Sequence, residues 1–142
     1  MAAIYDLVRD NEMFTVNEDH TVLEAVRAMV ERNIGAVPVL HHGELVGVFS
    51  ERDLMRRVVA ERRNADTTLV GEVMSTTLHV VEPYESLENC MLLMKQHNIR
   101  HLPICEGRKL RGMASMRDIL LHNLVEKDGE VNFMRAYIRT GT

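Results

Sequence analysis

The chain has 142 residues, of which 46% are apolar and 27% charged, with a formal net charge of −4. This is the balance of a globular chain that buries roughly 68% of its unfolded surface, and its acidity speaks against a nucleic-acid-binding domain, which presents a basic face. No apolar run approaches the roughly 18 residues of a membrane-spanning helix, so neither nucleic acid nor membrane is an expected partner.

In chain order, the opening Met1 to Asp6 has no basic stretch followed by an apolar one, and no signal peptide is expected. Phe14-Thr15-Val16 reads as a short strand. Thr21-Val22-Leu23-Glu24 is a capping-box pattern, and Val22, Val26, Met29 and Val30 follow at helical spacing. Two apolar runs, Ala36 to Leu40 and Leu45 to Phe49, flank His41-His42-Gly43-Glu44 and predict a hairpin. Pro38 suggests an edge position or a strand end, because proline cannot donate to the ladder. A helix is expected to start at Ser50. The polar stretch from Glu61 to Thr68 links to a second series.

That second series repeats the first. A shift of 65 residues aligns 13–57 with 78–122 without a gap, giving ten identities in 45 positions. Asn33-Ile34 falls on Asn98-Ile99, Pro38 on Pro103, and Gly47 on Gly112. Upstream, the same shift pairs Ile4, Tyr5 and Val8 with Leu69, Val70 and Val73. His79-Val80-Val81 becomes the second first-strand, Ser86 the helix cap, Leu87, Met91 and Met94 the apolar stripe, and Ser115 the start of the closing helix. A unit of about 60 residues is marginal alone, so the halves are expected to form one intimate pair. The expected organisation is 1–63, 64–125 and a helical tail, 126–142. In that tail Phe133, Met134, Tyr137 and Ile138 share one helix side, for packing on their own core or for a dimer contact.

Both halves carry Gly-x-x-Ser-x-Arg-Asp at a strand-to-helix junction: Gly47, Ser50, Arg52, Asp53 and Gly112, Ser115, Arg117, Asp118. A glycine there lets a ligand approach the backbone, and free N–H groups at a helix start face an anion. Serine and arginine bond phosphate oxygens, and an ionised aspartate accepts from ribose hydroxyls. Ser-x-x-Asp is equally a plain helix start. The arginine placed twice against the helix dipole, a cost of roughly 0.3–1 kcal/mol, points to an anion or to a surface salt bridge. Arg100-His101 stands only in the second half, where it supplies charge for a phosphate or forms an exposed strand start.

With these motifs, the chain resembles a tandem pair of cystathionine-β-synthase (CBS) domains, often called a Bateman module. The resemblance spans about residues 1–125 and rests on the Asn-Ile-x-x-h-Pro-h segments, the Gly-h-h-Ser-x-x-Asp motifs (h, apolar) and Gly71-Glu72-Val73-Met74. It implies an α/β (α+β) fold of two pseudo-symmetric β-α-β-β-α repeats packed sheet to sheet, plus a short C-terminal helix. It also implies a nucleotide-binding regulatory sensor whose inter-repeat cleft takes AMP, or ATP, ADP, NAD or S-adenosylmethionine. By the same resemblance, Asp53 or Asp118 holds the ribose and Ser50 or Ser115 lies near the ribose and phosphates. Val16, Ile34, Val37, Val81, Ile99 and Leu102 sandwich the adenine, largely through backbone contacts, while Arg52, Arg100, His101 and Arg117 lie near phosphate. Small members of this kind form disc-like homodimers and act through an effector protein that the sequence does not name.

Catalysis is not expected. None of the seven histidines has a partner at metal-ligand spacing, and Cys90 lacks one for nucleophilic chemistry. His41-His42 reads as a solvated turn. Cys90 and Cys105, both in apolar stretches, are expected to be reduced core residues, which suits the cytoplasm. The alternative function is a CBS pair that binds no ligand and serves as a structural or protein-interaction module.

Overall fold

The computed structural model describes residues 2–126. The chain runs α1 (Ile4–Val8), β1 (Val16–Asn17), α2 (Val22–Arg32), β2 (Ala36–His41), β3 (Glu44–Ser50) and α3 (Glu51–Asp53), which continues as a π-helical stretch, Leu54–Val59. Then come α4 (Val70–Val73), α5 (Leu87–His97), β4 (His101–Glu106), β5 (Lys109–Ser115) and α6 (Met116–Glu126). The tail helix expected near Phe133 to Ile138 lies outside the described residues.

Local chemistry sets the boundaries. Thr21 and Glu24 close a reciprocal capping box on α2, and the Ser86 hydroxyl accepts from the Asn89 N–H at the start of α5. Both helices end on an asparagine in the left-handed region, Asn33 (φ 54°) and Asn98 (φ 52°), a conformation asparagine tolerates better than most residues. Val22 and Met29 of the expected α2 stripe are buried, whereas Val30 is 74% exposed. The hairpin between β2 and β3 turns through His42 and Gly43, both with positive φ.

The repeat extends to sheet irregularities. In β2–β3 the pairs run from Ala36↔Ser50 to Val39↔Gly47, and the register shifts after Val39; in β4–β5 they run from His101↔Ser115 to Ile104↔Gly112, with the shift after Ile104. The first sheet has the order β1-β2-β3, so Pro38 lies within the central strand rather than at an edge or end. It is tolerated because its missing N–H points toward β1, whose parallel pairing begins only at Val16↔Val39. The same rule shortens the expected strand His79-Val80-Val81 to a single parallel bridge, Val81↔Ile104. Val81 donates to the Pro103 carbonyl and accepts from the Cys105 N–H, and the next ladder step back would need an N–H that Pro103 lacks.

The two cores do not follow the two halves. Val70, Val73 and Met74, at the start of the second repeat, are buried with Val22, Val37, Val39 and Phe49 of the first. Ile4 and Val8, at the start of the first repeat, are buried with Met94, Leu102, Ile104 and Ile119 of the second. Burying one such aliphatic side chain contributes about 1.5–3 kcal/mol, so each repeat is completed by the helix that introduces the other. Backbone bonds lock the exchange: Ile4 N–H to Glu85 O at 2.8 Å and Val70 N–H to His20 O at 2.8 Å. The exchange also corrects the upstream alignment. Ala3 caps α1 as Leu69 caps α4, a shift of 66 residues rather than 65, so Ile4 corresponds to Val70 and Val8 to Met74. The offset is absorbed in the connector, which runs one residue longer from Val8 to Val16 than from Met74 to Val81.

Candidate functional site

The duplicated motif forms two helix starts. Ser50 caps α3: its N–H and hydroxyl donate to Asp53 Oδ2 at 2.9 and 3.0 Å, and the Asp53 N–H donates to Ser50 Oγ at 3.3 Å. At α6 the Ser115 N–H donates to Asp118 Oδ2 at 2.9 Å and the Asp118 N–H to Ser115 Oγ at 3.1 Å. The plain helix start is therefore real in both copies. It does not exclude a ligand role, because both serines and both aspartates also line cavities.

Two cavities lie between the repeats. The first, about 740 Å³, joins Ser115, Arg117 and Asp118 of the second repeat to Ile34 and Pro38 of the first. The second, about 640 Å³, joins Ser50, Arg52 and Asp53 to Ile99 and Pro103. Both volumes fall in the range of small-molecule sites, roughly 300–1,000 Å³. A common wall of Gly35, Ala36, Glu51, Arg100 and His101 borders both cavities.

Of the residues expected near the ligand, Ile34, Ser50, Arg52, Asp53, Ile99, Arg100, His101, Ser115, Arg117 and Asp118 line these cavities. Val16, Val37, Val81 and Leu102 do not; they are at most 5% exposed and lie inside the two cores. The reason is strand alternation. With Val37 and Leu102 turned to the cores, their neighbours Ala36, Pro38, His101 and Pro103 reach the cavities. The cavity-lining prolines, Pro38 and Pro103, are not among the residues expected from the sequence. Nor is Phe14, which lines the first cavity with the Arg32 guanidinium 3.9 Å from its ring centre.

The motif glycines have a different cause from the expected one. A Cβ on Gly47 would stand 2.5 Å from Met74 Sδ and 2.9 Å from the Ser75 carbonyl oxygen. One on Gly112 would stand 3.1 Å from Val8. The close approach is that of the exchanged segments, not of a ligand.

Electrostatics separate the cavities. Asp53 is 5% exposed, and its second oxygen accepts from the Ser75 hydroxyl at 2.9 Å, with Arg57 Nε 3.8 Å away. Asp118 is half-buried, and its Oδ1 has no hydrogen-bond partner among the described residues. Arg52 donates to the Asn98 carbonyl at 3.1 Å, a favourable place for a cation because α5 ends there. Arg117 is exposed and makes no hydrogen bond or ion pair among the described residues. Arg9, Arg32, Arg100, Arg111 and Arg117 line the first cavity against Glu12, Glu51 and Asp118, so a basic hollow sits in an acidic chain. Burial holds the His101 imidazole below its usual pKa, against the raising influence of Asp118 and Glu51. Among the described residues no three His, Cys, Asp or Glu side chains converge as a metal site; His79 and His97 stack on each other, ring centres 3.6 Å apart.

The family model for the CBS domain matches residues 4–60 and again residues 70–124. The chain belongs to the CBS-domain family. As a CBS pair it is 32% identical over 137 residues to the mitochondrial CBS domain-containing protein CBSX3 of Arabidopsis thaliana, covering 93% of this chain and 66% of that relative's length. A CBS-domain protein from Burkholderia ambifaria has the same structure with a TM-score of 0.84 at 31% identity, over 89% of this chain and 97% of that one. The CBS domain pair of protein MJ0100, solved with 5′-methylthioadenosine and S-adenosyl-L-methionine, shares the fold with a TM-score of 0.79 at 20% identity, over 89% of this chain and 98% of that one.

Proposed function

We propose that this CBS pair is a cytoplasmic regulatory sensor that binds an adenine nucleotide between its repeats, and that it is not an enzyme. The observation that carries the reading is the placement of the duplicated Ser-x-Arg-Asp helix start. Each copy opens onto a cavity walled by the other repeat, beside Arg100 and His101. Serine and the first-turn N–H groups suit phosphate, aspartate suits ribose hydroxyls, and Ile34 with Pro38, or Ile99 with Pro103, offers apolar surface to a purine. The ligands named with the MJ0100 pair share the adenosine group of such a nucleotide, though neither carries a phosphate. The first cavity is the stronger candidate, because among the described residues Asp118 retains an open acceptor oxygen and Arg117 is unengaged. AMP is the preferred ligand; ATP, ADP, NAD and S-adenosylmethionine are its competitors.

A ligand in either cavity touches both repeats, so it changes their relative angle or orders the cleft, by no more than its differential affinity for the two states. Val30, Met55, Val59 and Val125 are exposed apolar residues on the helices and suit a homodimer, which an effector protein then reads. Sedimentation of the full chain as a monomer with and without nucleotide would remove the dimer from this scheme.

The second reading is a module that binds no ligand. One observation favours it at the second cavity, where Asp53 and Arg52 are already engaged within the protein. Thermal unfolding with millimolar AMP, ATP, NAD and S-adenosylmethionine separates the two. A ligand that binds only the native state at 100 times its dissociation constant adds about 2.7 kcal/mol. No shift with any of them would leave the interaction module as the better account.

A further inference from the structure

Each repeat carries one stacked pair at a corresponding place. Arg32, in the last turn of α2, lays its guanidinium 3.9 Å from the ring centre of Phe14. His97, in the last turn of α5, stacks on His79 with ring centres 3.6 Å apart and planes 14° from parallel. The shift of 65 residues that aligns the repeats carries Phe14 onto His79 and Arg32 onto His97. Phe14 and His79 stand just ahead of the first-strand valines, Val16 and Val81, and each meets a planar group from a helix end. Phe14 and His79 are half-buried, whereas Arg32 and His97 are exposed.

The half-buried rings border different cavities, Phe14 the first and His79 the second. Phe14 is fixed by two contacts, the Arg32 guanidinium on its face and the first-repeat core against which it packs. Arg32 is a permanent cation at the end of a helix, where positive charge is favoured, and the ring face attracts it. A ring already held in place loses little further freedom when a ligand stacks on it. Phe14 is also the only phenyl ring among the described residues of the first cavity, where Ile34 and Pro38 are aliphatic. His79 gives the second cavity a smaller ring with polar nitrogens. Neither ring is among the strand residues that the family resemblance assigns to an adenine.

Building on the nucleotide reading, we propose that Phe14 is the base-stacking residue of the first cavity and His79 its weaker counterpart in the second, so that this one position ranks the two cavities for AMP. Any base offers a π-face to such a ring. The phenyl face is wider and wholly apolar, so a purine gains more overlap on it and frees more apolar surface from water. A ligand with a phosphate but no base loses that ranking.

The test uses the full chain, which contains no tryptophan. Phe14→Trp therefore places a single indole at the first cavity, and its fluorescence is titrated with AMP and with ribose 5-phosphate, which lacks the base. AMP is expected to quench the indole and ribose 5-phosphate to leave it unchanged. Calorimetry with AMP then follows the exchange of rings. Phe14→His is expected to weaken the tighter step at least about five-fold, the low end of what one stacked base contributes. His79→Phe is expected to tighten the weaker step and leave the tighter one unchanged. An indole that AMP does not quench while wild type binds AMP, or a Phe14→His variant that binds as wild type does, overturns the stacking and leaves the nucleotide reading standing. A His79→Phe variant whose weaker step does not tighten overturns the ranking. Absence of AMP binding to wild type overturns both readings. Phe14→Trp keeps an aromatic ring against the core, so the quenching decides the matter even where Phe14→His fails to fold.

Discussion

The Ser75 hydroxyl donates to the Asp53 carboxylate at 2.9 Å, and among the described residues Asp118 receives no such bond. Ser75 arrives with the exchanged segment that follows α4, so the first repeat's motif aspartate is tied into the fold while, among the described residues, the second's keeps an oxygen without a partner. Asp53→Ala is expected to cost about 1–3 kcal/mol of stability, because it leaves buried donors unpaired. Asp118→Ala is expected to cost less in stability but to weaken AMP binding about ten-fold or more, the equivalent of roughly 1.4 kcal/mol. Urea denaturation and calorimetry measure the two effects; the reverse pattern would move the main ligand site to the Asp53 cavity.

The exchange of α1 and α4 predicts long-range damage from the first residues of the chain. Ile4 is fully buried in the core of the second repeat. Ile4→Ala is expected to cost about 2–5 kcal/mol, and hydrogen exchange should locate the loosening in β4, β5 and α6 rather than in residues 16–59. Gly47→Ala is expected to cost about 1–3 kcal/mol by forcing Met74 and the Ser75 carbonyl aside. Loosening confined to the first repeat in Ile4→Ala would contradict the exchanged packing.

The two motif arginines should separate on substitution. Arg52 holds the Asn98 carbonyl across the repeat interface, so Arg52→Ala is expected to lower stability by about 0.5–1.5 kcal/mol. Arg117 is exposed and has no partner among the described residues, so Arg117→Ala is expected to change stability by less than about 0.5 kcal/mol. Under the proposed function it weakens AMP binding and flattens its salt dependence. Equal stability losses would show that Arg117 has a structural partner of its own.

Burial pushes the Cys90 thiol up to about 11, with Glu85 adding to the shift. At pH 8 the native protein should alkylate at Cys90 only as fast as it opens, and denaturant should release the reaction. A pKa raised in the folded state means that the unfolded chain loses its proton first. The contribution to stability is therefore complete below about pH 9 and fades as pH rises toward 11. Rapid native-state alkylation at pH 8 would place Cys90 outside the core.

How much of this was legible depends on the kind of feature. Caps and turns act over three or four residues, so Thr21-Glu24, Ser50-Asp53 and the turn from His41 to Glu44 announce themselves locally. Strand faces are not legible, because a core-facing apolar residue and a cleft-facing one look alike in sequence. Only the neighbouring repeat decides whether Val37 or Pro38 meets the cleft. The glycines were misread for the same reason: Gly47 is small because Met74 presses on it, and nothing near Gly47 in the chain says so.

By itself, the sequence determined the tandem repeat, its β-α-β-β-α order, the capped helix starts and the family, because periodicity and capping are local and each was written twice. Tertiary structure alone decided that α1 serves the second repeat and α4 the first, that the offset between them is 66 residues, and that Asp53 is engaged while Asp118 is open. It also decided that two cavities share one wall of Gly35, Ala36, Glu51, Arg100 and His101. These are relations between segments far apart in the chain, set by which surfaces bury each other, and a repeat pattern carries no record of which copy its helices will cover.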